Sequence, residues 1–445
     1  MKRGATSALQ TGTRDTEPPM KVHLDTVGCR LNQAEIETYA RQFRAAGHEL
    51  VADPAEADLT VINTCAVTAA ASADSRKAIR RAARAGSSVV ATGCWATLDP
   101  QGAGSLPGIR QVVPNPAKDA LVPQILGVPP ETFDLEPLAR QPIPGARLRT
   151  RAFIKVQDGC DNRCTFCVTT VARGAGRSVP AARVLADVRA ALTGGAQEIV
   201  LTGVHLGSWG QDFGERRHLR DLVARILAET PVPRLRLSSL EPWNLDEDFF
   251  TLWADARLAR HLHLPLQSGS AATLRRMARK TTPEDFARLM DAARRAIPEA
   301  AITTDIITGF PGESETEFAE SLDFVRRMGF AGGHVFTYSP RPGTAAARMP
   351  GQVPMPVRKA RNAEMRAVFE ASAAAYRQQF IGKTLDVLWE SAVPLDGGWQ
   401  LTGLTDNYLR VTAAAPENLW NRISPVHLTG AENGRMTGEM LRVTG

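Results

Sequence analysis

Residues 157–170 read QDGCDNRCTFCVTT, and this stretch decides how the rest of the chain is read. It sets Cys160, Cys164 and Cys167 at the spacing C-x-x-x-C-x-x-C, directly after an apolar run at 152–156 that reads as a strand. One short loop with this spacing can curl three thiolates around an iron–sulfur cube. Three protein ligands for four irons leave one iron open to a substrate or cofactor. Two other readings compete. Offsets of four and three would also align cysteines on the apolar face of a helix, but Gly159, Asp161 and Asn162 are poor helix formers. A zinc site wants a fourth ligand, and the nearest histidine is His205.

The chain has six cysteines, so three remain: Cys29, Cys65 and Cys94. They are far apart in sequence, yet each is placed two residues beyond a predicted strand, at 22–27, 59–63 and 88–92. Helical stretches at 33–46 and 69–85 separate those strands, and such alternation implies a parallel sheet with helices on its faces. In a parallel sheet the strand ends converge on one edge, so the three thiols can meet there. Gly28 and Gly93 precede two of them and would allow close backbone approach. A second three-thiolate cluster is the expectation, against three unrelated buried cysteines.

Working onward from Cys160, short apolar runs recur at 198–201, 235–238, 261–266, 302–307 and 334–336. Helical patterns at 179–193, 217–229, 283–297 and 315–328 separate most of them. Six strand–helix units predict a partial (β/α) barrel with its site at the C-terminal strand ends. An open doubly wound sheet would put the site at the same edge. Polar, Gly-rich segments follow these strands at 201–210, 238–242, 264–270, 305–313 and 338–344, where cofactor contacts belong. An Ala- and Arg-rich helix is expected at 357–380. The tail then changes to short alternating runs at 385–389, 408–412 and 423–428, the pattern of a small β-barrel. It offers Trp389, Trp399, Tyr408, Arg410, Trp420 and Arg422 either as stacking faces and phosphate contacts or as barrel core.

The expected division is therefore an extension at 1–19, an α/β cluster domain at 20–128, a Pro-containing linker at 129–146, a (β/α)6 barrel at 147–375 and an all-β barrel at 376–445. Of the 445 residues, 43% are hydrophobic and 22% charged, as in soluble globular proteins. There is no apolar run of spanning length, and the first twenty residues lack a signal-peptide core, so a cytoplasmic location without membrane contact is expected. A reducing compartment turns clustered cysteines toward metal chemistry rather than disulfides. The net charge of +6 is compatible with a nucleic-acid partner without requiring one.

Taken together, TVGCRLNQAE, VINTCAVT, TGCWA, GCDNRCTFC, ARG (172–174), HLPLQSGS, FPGE and YSPRPGT resemble the radical-SAM methylthiotransferases from about residue 21 onward. The resemblance implies an N-terminal cluster domain, a radical-SAM barrel and a C-terminal TRAM domain that grips RNA. It implies that Cys160, Cys164 and Cys167 hold a 4Fe-4S cluster whose open iron chelates S-adenosylmethionine, releasing a 5′-deoxyadenosyl radical on reduction. Cys29, Cys65 and Cys94 would hold an auxiliary 4Fe-4S cluster that carries the sulfur to be inserted. Two molecules of S-adenosylmethionine would be used, one for the radical and one for the methyl group. Cofactor contacts are expected from Phe166, Gly203, Ser239, Glu241, Gln267, Asp305 and Gly309. The segments GVHLGSWG, SSLEP, HVFTYSPRPGT and TDNYLRV look most like the branch that modifies carbon 2 of threonylcarbamoyladenosine beside the tRNA anticodon. Gly269 argues against the ribosomal-protein branch, which tends to carry His after the Gln. The implied partners are a tRNA anticodon loop, an electron donor such as flavodoxin or ferredoxin, and a sulfur source. The competing readings are methylthiolation of isopentenyl-adenosine or of a ribosomal-protein aspartate, and a non-catalytic iron–sulfur carrier with an RNA-binding tail.

Overall fold

Residues 18–133, 141, 143–144, 150–215 and 217–441 are described in a computed structural model of the chain. The first seventeen residues and much of the expected linker lie outside them.

The run LTVINT forms β3 (Leu59–Thr64) and is buried along its whole length, as a strand covered on both faces must be. It is the centre of a five-stranded parallel sheet. The other strands are β1 (Lys21–Thr26), β2 (Glu49–Leu50), β4 (Ser88–Gly93) and β5 (Ile109–Val113), in the order β2-β1-β3-β4-β5. Helix α1 (Arg30–Ala45) crosses from β1 toward β2, whereas α2 (Ala69–Arg84) crosses from β3 to β4. The strand order therefore reverses between β1 and β3, and the crevice beyond such a switch point is where open α/β sheets bind ligands.

The second unit begins with β6 (Arg151–Lys155). The two-residue strands β7 (Gln157–Asp158) and β8 (Arg177–Ser178) follow and pair antiparallel across the cysteine loop. Then come β9 (Glu198–Thr202), β10 (Arg234–Leu237), β11 (His261–His263), β12 (Ala301–Thr308) and β13 (Gly332–Thr337). Two parallel sheets, β10-β9-β6 and β11-β12-β13, are joined by bridges at Leu235–Leu258 and Ser239–His263, which makes the expected partial barrel. Alternation along the strands divides its two faces. Ala152, Ile154, Ile199, Leu201, Leu235, Leu237, Leu262 and Ile302 pack with the surrounding helices in one large core. On the opposite, concave face, Phe153 and Val200 meet Ala34 of α1, so the N-terminal unit leans into the open side of the barrel.

The helix Met355–Gln378 lays Met365 and Phe369 onto this unit. The tail is a closed barrel of β14 (Thr384–Leu395), β15 (Gly398–Thr405), β16 (Arg410–Ala415), β17 (Ile423–Glu432) and β18 (Arg435–Met440). Sequence periodicity missed β15 and β18, and it assigned Tyr408 to a strand. Tyr408 in fact sits in the turn before β16 with φ of +66°. That turn docks into the barrel: Arg236 donates to Thr405 O at 3.1 Å and Asp406 O at 2.9 Å, and Arg234 donates to Leu404 O at 3.0 Å. Trp389 fills the small barrel's core, with its Nε1 donating to Ser424 Oγ at 2.7 Å, so it is no stacking platform. Among the described residues no helix is long and apolar enough to cross a membrane.

Candidate active site

The loop from Gly159 to Cys167 is not helical; the helix starts only at Val168. Gly159 takes φ of +74°, and a Cβ there would lie 1.9 Å from Ala175 O, so only glycine lets the loop turn under the 174–175 backbone. Cys160 N then donates to Gly174 O at 2.9 Å, and Cys167 N to Cys164 O at 3.1 Å. Thr165 fixes the loop from below through its N–H to Met277 O at 3.1 Å and its hydroxyl to Arg276 O at 2.8 Å. The three cysteines are free thiols. Burial pushes the Cys160 thiol up to about 11 and raises Cys164 as well, and each is raised further by the charge of Cys167. Three free cysteines on one short loop are a donor set for a soft metal centre, which would displace their protons on binding. Arg279 stands beside them. Its Nη1 donates to Cys164 Sγ at 3.8 Å, its Nη2 to Glu241 Oε2 at 2.7 Å, and its guanidinium lies 4.4 Å from the Trp243 ring centroid.

The other three thiols also meet. The strands end a residue away from their expected ends, so Cys65 and Cys94 follow β3 and β4 directly, whereas Cys29 is three residues past β1. Gly28 (φ +101°) and Gly93 (φ +92°) are both required. A Cβ on Gly28 would lie 2.5 Å from Cys65 Sγ, and one on Gly93 would lie 2.4 Å from Asn63 Oδ1 and Thr64 O. Burial raises the Cys65 thiol, and the charges of Cys29 and Cys94 raise it further. Cys29 Sγ donates to Asn32 Oδ1 at 3.6 Å, and Asn115 Nδ2 donates to Cys94 Sγ at 3.7 Å. Arg341, from the YSPRPGT segment, donates to Ala66 O, to Thr68 O at 3.2 Å and to Ser72 Oγ at 3.1 Å, which ties the barrel rim to the Cys65 loop.

A buried ionic network joins the two triads. Arg173 Nη1 donates to Glu35 Oε1 at 3.0 Å and to Asp158 Oδ1 at 2.8 Å, and its Nη2 donates to Asn32 Oδ1 at 2.7 Å. Lys118 pairs with both carboxylates. Burial opposes the ionisation of Glu35, but Arg173 and Lys118 outweigh it and hold the carboxyl down to about 2. Asp158, two residues before Cys160, is held low in the same way.

The expected cofactor contacts are spread around the same rim. Phe166 packs edge-on to Phe310 at 6.4 Å between centroids. Gly203 lies over Gln157, 3.0 Å from where its Cβ would be. Ser239 is exposed at the end of β10, and Glu241 is ion-paired to Arg279. Gln267 holds φ of +79°, with its N–H on Asp305 O at 2.8 Å and its C=O accepting from Ile307 N at 2.9 Å. A non-glycine residue kept there is locally strained, as is common at ligand sites. Gly309 is crowded by Arg358 and donates its N–H to Glu313 Oε2 at 2.7 Å. Asp305 faces the concave side, bonded to His263 Nε2 at 3.2 Å and His334 Nδ1 at 3.1 Å. Sequence reading did not single out Arg30, Glu35, Lys118, Asp158, His263, Arg279 or His334. Arg30, Glu35, Lys118 and Asp158 act through contacts between domains, and His263, Arg279 and His334 through contacts between separate strands and loops of the barrel, and no local spacing signals either kind.

Residues 154–325 match the radical SAM superfamily, and residues 21–113 match the uncharacterized protein family UPF0004. The threonylcarbamoyladenosine tRNA methylthiotransferase MtaB of Bacillus subtilis (strain 168) is 35% identical over 443 residues, covering 95% of this chain and 96% of its own. The chain belongs to the radical-SAM methylthiotransferase family. The MtaB protein of Thermotoga maritima is also 35% identical, across 91% of this chain and 93% of the relative. A solved radical S-adenosylmethionine methyltransferase, TsrM from Kitasatospora setae, shares the fold with a TM-score of 0.57 at 17% identity, over 74% of this chain and 75% of that one. Membership of the radical SAM superfamily implies one 4Fe-4S cluster and S-adenosylmethionine. The half-buried, free thiols of Cys160, Cys164 and Cys167 fit that requirement in number and chemistry.

Proposed function

We propose that this chain inserts a methylthio group at carbon 2 of N6-threonylcarbamoyladenosine next to the tRNA anticodon, consuming two molecules of S-adenosylmethionine. The observation that carries the reading is the pair of three-cysteine sites joined through Arg173, in a chain 35% identical to a methylthiotransferase of that specificity along nearly its whole length. When bound, two 4Fe-4S clusters and S-adenosylmethionine supply the one-electron chemistry and the sulfur, and the protein supplies placement and shielding from water.

Cys160, Cys164 and Cys167 hold the first cluster, and Cys29, Cys65 and Cys94 the second. Arg279 places a fixed positive charge against Cys164, which favours its thiolate, and uses Glu241 to keep its own fork in place. Phe166, Gly203, Ser239, Glu241, Gln267 and Gly309 form the rim that takes S-adenosylmethionine. Asp305 points instead toward the substrate side, held by His263 and His334. Arg173, Glu35, Asp158 and Lys118 fix the distance between the two sites, so sulfur and substrate carbon meet in one geometry.

The division of the chain follows from these roles: a sulfur-carrying unit at 20–128, a radical unit at 147–375 and an RNA-gripping barrel at 376–445. An anticodon-loop base is single-stranded and can be splayed into the cleft at low cost. The partners are tRNA, a low-potential electron donor such as flavodoxin or ferredoxin, and a sulfur source, in the cytoplasm.

The test is nucleoside mass spectrometry of tRNA from a deletion strain and its complement. Loss of 2-methylthio-threonylcarbamoyladenosine, restored by the complement, is the expected result. Unchanged levels would refute the assignment, and loss of the isopentenyl product would transfer it to the other tRNA branch. Failure of reconstituted protein to yield 5′-deoxyadenosine would favour the iron–sulfur carrier.

A further inference from the structure

Arg30 directly follows Cys29, yet its side chain leaves the N-terminal unit. Its Nη2 donates to the Tyr408 hydroxyl, in the docking turn of the C-terminal barrel, at 2.7 Å. Tyr408 in turn stacks on His261 of β11, with ring centroids 4.3 Å apart and planes 12° from parallel. Arg30 is thus set on the concave face of the radical-SAM barrel, beside the second triad.

The charges on that face are nearly all answered by a partner. Arg236 is forked onto Glu198 at 2.8 and 2.9 Å. Arg151 pairs with Glu390 at 2.7 Å, and Asp305 is shared between His263 and His334. Burial and the neighbouring Arg236 keep His261 neutral. Among the described residues, Arg30 has no carboxylate within ion-pair distance, and its one hydrogen-bond partner is a phenol. A half-buried guanidinium with open donors is a ready site for a planar carboxylate. The local potential agrees: burial should raise the Tyr408 hydroxyl, but Arg30, Arg151 and Arg236 together bring it below its ordinary value. His334 adds a second cationic donor, because its hydrogen bond to Asp305 raises its imidazole. It stands exposed on β13, the edge strand bordering the barrel's open side.

We propose that Arg30, assisted by His334, binds the carboxylate of the substrate's threonylcarbamoyl group and so selects that nucleoside over adenosines with neutral N6 substituents. This rests on the function proposed above and adds the group that reads the substrate. It also accounts for the position of Arg30. The residue next to a ligand of the sulfur-carrying site would hold the far end of the substituent, while the adenine ring presents carbon 2 to that site.

The test compares two anticodon stem-loop RNAs on the reconstituted holoenzyme, one bearing threonylcarbamoyladenosine and one bearing its carboxamide. The measured quantity is the ratio of the two kcat/KM values. The native protein should favour the carboxylate by about tenfold to a hundredfold, the range of a charge-assisted hydrogen bond. Arg30→Gln should bring the ratio close to one, and Arg30→Lys, which keeps the charge but not the fork, should fall between. Tyr408→Phe removes the contact between domains but leaves the guanidinium, and should keep the native ratio. A native ratio in Arg30→Gln would overturn the proposal. So would a ratio in Tyr408→Phe that falls as far as in Arg30→Gln, because Arg30 would then only dock the two domains. If the native protein methylthiolates neither RNA, the function itself is wrong. If it modifies both equally, that function stands and only the carboxylate site is lost.

Discussion

Arg173 and Glu35 form an ion pair 3.0 Å long, closed to solvent, between the helix that follows Cys167 and the helix that follows Cys29. Arg173 is also bonded to Asp158 at 2.8 Å, and Lys118 approaches the same two carboxylates from a third segment. Lys155 stands 3.9 Å from each carboxylate and is itself paired with Asp119 at 2.6 Å, so three acids and three bases balance in charge, which is what makes their burial tolerable. The network is therefore a distance gauge between the two thiol triads, and its removal should be felt at both.

Replacing Glu35 by Ala leaves Arg173 and Lys118 buried with one carboxylate between them. The expected destabilisation is about 3–5 kcal/mol, the cost of stranding a buried charge. It should appear as a lower midpoint in urea unfolding followed by tryptophan fluorescence. A change below about 1 kcal/mol would mean that water or local rearrangement satisfies the two cations.

The same pair sets an acid limit. The Glu35 carboxyl lies at about 2 in the folded protein against an ordinary 4.5. Its contribution is complete above the unfolded value and is lost as pH falls from about 4.5 toward 2. The shift corresponds to roughly 3 kcal/mol over that window. Unfolding midpoints measured across it should fall more steeply for the native chain than for Glu35→Gln, and parallel curves would contradict the assignment.

Gly28→Ala tests the second triad without touching a cysteine. The position holds φ of +101°, and the new Cβ would lie 2.5 Å from Cys65 Sγ. Backbone strain of about 1–3 kcal/mol adds to the clash, so Cys65 should be displaced from the group. Iron content after reconstitution should drop from about eight to about four per chain, one cube of four irons being lost. A full iron complement would show that Cys65 is not needed as a ligand.

The cysteines were legible for different reasons. Cys160, Cys164 and Cys167 are a local signal, since seven or eight residues of loop suffice to bring them together. Cys29, Cys65 and Cys94 were legible only through the strand period, and a one-residue error at the strand ends did not disturb their convergence, because a parallel sheet aligns all its C-terminal ends. Tyr408 shows what was hidden. Its alternating neighbours read as strand, but the docking of the turn onto Arg234 and Arg236 fixes it at φ +66°. Trp389 was ambiguous because an aromatic on a strand fits either a core or a stacking face, and only the closed barrel decides. Arg30, Glu35, Asp158 and Lys118 carry no periodic signal, since each finds its partner more than a hundred residues away or on another segment.

Separating the roles of the two triads gives a direct chemical prediction. Cys164→Ala should abolish both 5′-deoxyadenosine formation and the methylthio product, because Cys164 lies in the loop assigned to S-adenosylmethionine cleavage.
Cys65→Ala should keep 5′-deoxyadenosine formation in the presence of dithionite and lose only sulfur insertion. Both products are read by mass spectrometry from one reaction mixture. Loss of both in Cys65→Ala would mean that the sites do not act separately, and Arg341, which anchors the Cys65 loop to the radical-SAM rim, would be the physical link.

The C-terminal barrel offers the last test. With Trp389 buried and Tyr408 turned inward, the side chains left facing solvent from the expected set are Arg410 and Arg422, with Trp399 and Trp420 partly exposed beside them. Arg410 is only loosely tied to Glu390, at 3.8 Å. If these arginines meet RNA phosphates, reversing both to Glu should weaken tRNA binding at low salt by at least about tenfold. The slope of log affinity against log salt should also fall by about two, one for each lost phosphate contact. Fluorescence anisotropy with a labelled anticodon stem-loop measures both quantities. An unchanged slope would move the RNA grip off this barrel and onto another face, such as the cleft between β13 and the helix Met355–Gln378, where Arg366 and Arg377 stand. The corresponding reversal of Arg366 and Arg377 would then change the slope in place of Arg410 and Arg422.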